Sequence, residues 1–180
     1  MIRKIMDHHK NSEELRDKIT GLQAQIAQDL PALETYCQLG DVYFESEQYE
    51  NAITEYKNAI RLDQSNAYPH YLLGTVYGTL EREDEAIESF CKSISLDPDA
   101  PKTHYWLGYV YTNQKRFENA KRCFQQALDI EPDFSEAHYF MALLHILTGN
   151  KDKALEKYEL LKKLDPSLAE KLYTDEIDRK

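Results

Sequence analysis

A pattern of small and aromatic side chains that recurs every 34 residues is the feature that most constrains this chain. The clearest copy spans residues 101–134 and carries, at fixed places, Leu107, Gly108, Tyr111, Ala120, Phe124, Ala127 and Pro132. Within each copy the apolar residues follow a helical period, are interrupted by a few polar residues, and then resume. A repeat of this length is typical of two-helix units that bury their apolar faces only by stacking on one another.

Four consecutive copies occupy residues 33–66, 67–100, 101–134 and 135–168. Glycine stands at one place in the first three copies, as Gly40, Gly74 and Gly108, and Ala142 replaces it in the fourth. Because glycine costs a helix about 1 kcal/mol relative to alanine, we expect a second helix to approach closely there. Aromatic residues are expected to fill the space between the helices, at Tyr43, Tyr56, Tyr77, Phe90, Tyr111, Phe124 and Tyr158.

The segments outside these copies are predicted to be caps. Residues 1–32 contain an expected helix start at Asn11 and Ser12 and a stripe of four apolar residues at helical spacing, Leu15, Ile19, Leu22 and Ile26. The stripe predicts a helix that lies on the first copy, although a short coiled-coil contact between two chains has the same pattern. Residues 169–180 are predicted to form a short capping helix followed by a polar tail.

Composition disfavours several classes of partner. The net charge is −10 and the isoelectric point about 5.1, so the surface should repel nucleic acids and anionic lipids. No apolar run approaches the roughly 18 residues of a membrane span, and the start of the sequence does not resemble a signal peptide. Cys37, Cys91 and Cys123 show neither metal-site nor disulfide spacing. We therefore expect a monomeric protein of the reducing cytoplasm.

Candidate catalytic and metal-binding residues are few. His70, His104 and His138 recur at one place, but equivalent atoms in neighbouring copies should be about 10 Å apart. Zinc needs its ligands at roughly 2.0–2.3 Å, so packing is the expected role of these histidines. No nucleophile is paired with a base at a recognisable spacing, and no glycine-rich phosphate loop occurs. The prediction is a protein without catalytic activity, metal or cofactor.

The repeated residues resemble the tetratricopeptide repeat, and the resemblance covers residues 33–168. It implies an all-α, right-handed solenoid of four helix–turn–helix repeats with capping helices at both ends. It also implies that the first helix of each repeat lines a concave groove. In this family a segment of another protein usually lies in that groove, in extended or helical form.

The places that face the groove in this family are acidic in the first repeat and become aromatic and apolar in the later ones. We predict a peptide-binding surface made of Tyr68, Tyr71, Leu72, Tyr105, Trp106, Tyr109, Tyr139, Phe140 and Leu143. Several of these residues replace the polar side chains usual in the family, and large aromatic residues commonly anchor partner surfaces. Cover by the chain's own tail, and plain packing between repeats, are the alternatives.

The binding of acidic C-terminal tails, one function of the family, depends on side chains that can be checked in the sequence. Members that bind acidic C-terminal tails of large chaperones use a carboxylate clamp of Lys, Asn, Asn, Lys and Arg. The corresponding places here hold Cys37, Asp41, Leu72, Lys102 and Trp106, of which only Lys102 matches. The expected function is therefore a non-catalytic scaffold or adaptor for a protein segment with apolar or aromatic anchors. A chaperone-like holder of an aggregation-prone or assembling partner is the alternative.

Overall fold

The structure, a computed structural model, describes residues 2–28 and 32–174, with side chains from residue 12 onward. Residues 1, 29–31 and 175–180, and with them most of the expected polar tail, lie outside the described residues. The described part is helical and contains no strand. Its helices are α1 (Ile2–Gln28), α2 (Leu33–Glu45), α3 (Tyr49–Leu62), α4 (Ala67–Thr79), α5 (Glu83–Leu96), α6 (Pro101–Asn113), α7 (Phe117–Ile130), α8 (Ser135–Leu147), α9 (Lys151–Leu164) and α10 (Pro166–Leu172).

The chain forms two compact units, Met1–Leu96 (unit 1) and Asp97–Lys180 (unit 2). In unit 1, α2 pairs with α3 and α4 pairs with α5, while α3 packs against α4 and α1 against α2. In unit 2, α6 pairs with α7 and α8 with α9, while α7 packs against α8 and α10 against both α9 and α8. Each unit is thus a stack of two helical hairpins with one additional helix at its end.

The turn inside each hairpin has the same geometry in all four copies. Its last N–H donates to a carbonyl five residues earlier, at 2.8 Å from Gln48 to Tyr43 and at 2.7–2.9 Å in the other copies. The middle residue has a positive φ, at Glu47 (60°), Glu81 (57°), Lys115 (57°) and Gly149 (77°). This is the Schellman arrangement that ends helices in a left-handed residue. Only Gly149 is free of the cost, about 1–2 kcal/mol, that a side chain adds to this conformation.

The close approach expected at the glycines is confirmed. A β-carbon added to Gly74 would lie 2.7 Å from the ring of Phe90, and one added to Gly108 would lie 2.8 Å from the ring of Phe124. The glycine at position 40 faces Tyr56 in the same way. These rings are fully or almost fully buried. The first helix of each hairpin therefore rests directly on an aromatic ring of the second.

The fourth copy uses a different packing arrangement at this contact. Ala142 and Leu161 are both fully buried, and Leu161 stands where earlier copies have alanine or serine. The aromatic residue, Tyr158, is only partly buried and lies beside Tyr173 at 5.7 Å between ring centroids. A larger residue at each of the two small positions fills the volume that the ring occupies in the other copies.

The additional helices cover apolar ends of the stacks. Leu172 and Ala169 of α10 are buried against Ala142 and Leu161. The start of α10 is fixed by Asp165, whose side chain accepts the N–H of Leu168 at 3.0 Å.

The apolar stripe of α1 faces the first hairpin. Leu15 is 8% exposed, and Gln23 donates to the hydroxyl of Tyr43 at 2.9 Å. The expected helix start near Ser12 is wrong, because α1 begins at Ile2. Neither proline nor glycine interrupts residues 2–20, so the helix continues through the positions that favour a cap.

Gly108→Ala tests the close helix contact. The added methyl group would overlap Phe124, so we expect the free energy of unfolding to fall by about 1–3 kcal/mol in urea titrations. Gly21→Ala is the matched control, because nothing lies within 4 Å of a β-carbon at Gly21 and alanine favours the helix. Equal stability changes in the two variants would contradict the contact.

Candidate functional site

Seven aromatic rings of unit 2 form one connected group, here called the aromatic cluster. It consists of Tyr105, Trp106 and Tyr109 from α6, Phe124 from α7, Phe134 at the start of α8, and Tyr139 and Phe140 from α8. Six of the nine predicted surface residues belong to unit 2, and five of those six are members of this cluster.

Phe140 connects the cluster to the core. Its ring stacks on the fully buried Phe124 with centroids 5.4 Å apart and planes 20° apart. The Phe140 ring is also edge-to-face with the rings of Tyr105 and Tyr109, at 5.7 Å and 5.5 Å between centroids. Because these edge-to-face contacts each favour one relative orientation, the rings above Phe140 are held in place by the core beneath it.

Trp106 lies at the accessible side of the cluster. Its ring is edge-to-face with Tyr105 at 5.2 Å and with Tyr109 at 5.7 Å, and all three side chains are partly exposed. Burial, with the neighbouring charge of Glu136, raises the pKa of Tyr105 to about 12. The Tyr105 hydroxyl therefore stays protonated at neutral pH and can donate a hydrogen bond.

The apolar surface continues along α8 beyond the cluster. Leu143 is partly exposed, and Leu147, one helical turn further, is 53% exposed. Tyr139 lies one helical turn before Leu143 on α8, and the ammonium group of Lys171 from α10 is 5.7 Å from its ring centroid.

The remaining predicted surface residues lie in unit 1. Tyr68 is 51% exposed and stacks on Tyr71 at 6.2 Å, and Tyr71 in turn contacts the buried ring of Phe90 at 6.3 Å. Leu72 is only 9% exposed, so it supports this surface from below and offers little area for contact. The predicted residues thus form two groups, one within each unit.

A hydrogen bond that sequence reasoning did not anticipate joins Asp41 of α2 to Tyr56 of α3. The Tyr56 hydroxyl donates to Asp41 Oδ1 at 2.7 Å, and the Tyr56 side chain is almost fully buried. Burial raises the pKa of Asp41, and the charge of Glu45 adds to this effect, although the hydrogen bond opposes it. The spacing of fifteen residues between acid and tyrosine is the only signal in the sequence.

Cys37 lies one turn before Asp41 and is buried. Burial, together with the charges of Asp41 and Glu34, raises the pKa of its thiol to about 12. The thiol is therefore protonated at neutral pH, which is the unreactive form of cysteine.

Two of the three recurring histidines bond to the turn that precedes their helix. His104 Nε2 lies 2.9 Å from the carbonyl oxygen of Pro98, and His138 Nε2 lies 2.8 Å from that of Pro132. His70 Nε2 has no partner among the described residues, and the copy before it carries Gln64 in place of the proline. Among the described residues, no group of three His, Cys, Asp or Glu is arranged to hold a metal ion.

Two buried histidines of unit 2 have a ring nitrogen that no described residue bonds. The Nδ1 atoms of His138 and His145 have no hydrogen-bond partner in the described part of the chain, and burial lowers the pKa of both imidazoles from the ordinary value of 6.5. The charges that face His145 come from α7 and α9 and are mainly cationic: Lys121, Lys153 and Lys157, opposed by Glu156. Protonation of His145 would therefore add a charge to a cationic, poorly hydrated place.

The fold and the repeated hairpins define a class of helical-repeat proteins that serve as protein–protein interaction modules. Within that class, sequence profiles of the TPR repeat match residues 40–81 and 80–115, and those of the tetratricopeptide repeat match residues 101–134 and 135–168. The chain belongs to the tetratricopeptide repeat family, whose members are generally non-catalytic. No curated protein matches the sequence.

Solved structures share the fold. A crystal structure of MamA is 22% identical with a TM-score of 0.78, and the match covers 91% of this chain and 96% of MamA. YrrB, described as a TPR protein with an unusual peptide-binding site, is 22% identical with a TM-score of 0.72, over 93% and 88% of the two chains. MamA from Desulfovibrio magneticus RS-1 is 18% identical with a TM-score of 0.77, over 92% and 93%. The predicted all-α solenoid of tetratricopeptide repeats is confirmed as the fold class.

Membrane insertion by a helix finds no support in the described part of the chain. None of its helices combines the length and the apolar character that crossing a bilayer requires.

The buried histidines predict a loss of stability in mild acid. Well above pH 6.5, the ordinary pKa, both the folded and the unfolded chain hold neutral imidazoles, so these groups add no pH dependence. Below that value the unfolded chain takes up protons that the folded chain resists, so the free energy of unfolding should fall with pH. In urea titrations from about pH 7.5 to about pH 5.5, His145→Gln should lose less stability than wild type. Parallel losses in the two proteins would contradict this account.

Proposed function

We propose that this chain is a non-catalytic adaptor that binds a segment of another protein on the surface formed by the first helices of its repeats. The aromatic cluster is the observation that carries the proposal. Tyr105, Trp106 and Tyr109 remain partly exposed, and Tyr105 and Phe140 connect them to a buried core. Membership of a family of interaction modules supports the same conclusion.

The geometry of the cluster suits a binding surface. Because Phe140 is stacked on Phe124, the rings above it are ordered before a ligand arrives, which reduces the entropy lost on binding. The rings offer apolar area, whereas the Tyr105 hydroxyl and the Trp106 indole N–H offer donors for backbone carbonyl groups of the partner. Apolar or aromatic side chains are the matching anchors.

The other predicted residues extend this surface within each unit. Tyr139 and Leu143 continue it along α8, and Tyr68 and Tyr71 form the corresponding surface of unit 1, with Leu72 beneath them. The description of YrrB as a peptide-binding protein supports a peptide ligand here.

A chaperone-like holder is the second candidate. The exposed Leu147 prolongs the apolar surface of α8 beyond the aromatic cluster, and a long apolar surface suits a partner that cannot remain soluble alone. Capture of a short, defined peptide favours the adaptor, whereas co-purification with one protein that is insoluble alone favours the holder.

The setting proposed for this function is the cytoplasm, with the chain acting as a monomer. The net charge of −10 supports a protein partner over nucleic acid or an anionic membrane.

Trp106→Ala tests the binding surface. Removing a central aromatic anchor commonly costs about 2 kcal/mol or more, so affinity should fall at least roughly tenfold. The ligand is a peptide selected by wild type from a phage-displayed random library, and binding is followed by calorimetry. Phe140→Ala is unsuitable as the primary test, because Phe140 also packs on the core.

Glu88→Ala is the control for this experiment, because Glu88 is exposed on the second helix α5. It should bind the selected peptide as wild type does. In wild type, peptide binding should also change the emission of Trp106, the single tryptophan. Unchanged affinity in Trp106→Ala would place the binding surface elsewhere.

A further inference from the structure

Asp41 carries a partly buried carboxylate for which the described side chains supply no cation. The ion pairs among the described residues involve Arg82, Lys121 and Lys162, and none of them reaches Asp41. The charged neighbour that acts on it is another carboxylate, that of Glu45. A carboxylate that has lost part of its hydration without gaining a cation is unfavourable for folding.

The Asp41 carboxylate is nevertheless held in one orientation. Oδ1 accepts the hydroxyl of the buried Tyr56 at 2.7 Å. Oδ2 accepts no hydrogen bond from the described residues and is not among their fully buried atoms that lack a partner, so it is not fully buried. The pair therefore presents one oriented acceptor to the surface of unit 1.

Tyr68 supplies an exposed aromatic ring on α4, a helix that packs against α2 in unit 1. It is close enough that the charge of Asp41 contributes to its raised pKa, after the larger effect of burial. Its outer half is exposed and its ring is stacked on Tyr71. The carboxylate and the ring therefore belong to two helices that pack against each other, α2 and α4.

The chain's own cations cover other tyrosines. Arg82 lies over Tyr77 at 4.6 Å, Arg116 over Tyr111 at 4.5 Å, and Lys162 over Tyr158 at 5.5 Å. In the described part of the chain, no lysine or arginine lies over Tyr68 in this manner. The cation–π contact thus recurs in the described part of the chain but is not made at Tyr68.

We propose that Asp41 and Tyr68 form a subsite for an arginine or lysine side chain of the bound segment. The cation would receive a charge-assisted hydrogen bond at Asp41 Oδ2 and a cation–π contact at Tyr68. Charge complementarity supports this occupant, because Glu34 and Glu45 lie on the same helix as Asp41 and the chain carries a net charge of −10. This subsite rests on the proposed function, because it requires that the chain binds a protein segment, but it does not depend on the aromatic cluster.

Selection from a phage-displayed library of random peptides tests the subsite. The full chain is immobilised as wild type, Asp41→Asn or Glu88→Gln, and the selected pools are sequenced. Asp41→Asn removes the charge but keeps an oxygen for the Tyr56 hydroxyl, and Glu88→Gln removes one charge from an exposed place on α5. Wild type and Glu88→Gln should enrich arginine or lysine at one peptide position, and Asp41→Asn should not.

Affinities of individual wild-type peptides complete the test. Asp41→Asn and Tyr68→Ala should each weaken binding, by about tenfold for Asp41→Asn. Substitution of the enriched arginine by citrulline, its neutral isostere, should weaken binding to wild type but not to Asp41→Asn. Asp41→Asn should unfold at the same or a higher urea concentration than wild type at neutral pH, so weakened binding would not reflect unfolding.

The outcomes separate this inference from the proposed function. Pools without basic enrichment, or with enrichment that survives Asp41→Asn, would contradict the cation subsite and leave peptide binding intact. Failure of all three proteins to select any peptide would contradict the proposed function, and the subsite with it.

Discussion

One contact determines how the first three hairpins pack. In it, a glycine on the first helix rests on an aromatic ring of the second helix. At Gly74 and Gly108 there is no room for a β-carbon, because Phe90 and Phe124 already fill that volume. The ring is buried and the helices are close, so the remaining apolar positions meet at native packing density. Where Ala142 replaces the glycine, the aromatic ring moves outward and Leu161 fills the core instead.

The candidate binding surface depends on this contact. Phe124 packs against Gly108, and Phe140 stacks on Phe124. The rings of Tyr105 and Tyr109 make edge-to-face contacts with Phe140. An exposed aromatic surface is thereby ordered by the core rather than by a ligand. Unit 1 has its own counterpart, in which buried Tyr56 orients the carboxylate of Asp41. In both units a buried ring orders side chains at the surface, and the two surfaces differ in the chemistry that they offer.

Periodicity alone predicted the helices, the turns within hairpins and the close approach at the glycines, because each depends on local spacing. It did not predict the start of α1 at Ile2, since a favourable cap residue need not end a helix. The positive φ of Glu47, Glu81 and Lys115 was also missed, because these residues do not favour that conformation. The burial of Leu72 and the hydrogen bond from Tyr56 to Asp41 depend on tertiary packing. A repeat pattern gives only what the copies share, so it does not predict such features of one copy.

Hydrogen exchange of the full chain, with and without a peptide selected by wild type, tests the central claim most directly, namely that the first helices form the binding surface. The account predicts slower exchange in α6 and α8, where Trp106 and Phe140 lie, and little change in α7 and α9. Protection confined to α7 and α9, or spread evenly over all helices, would contradict it.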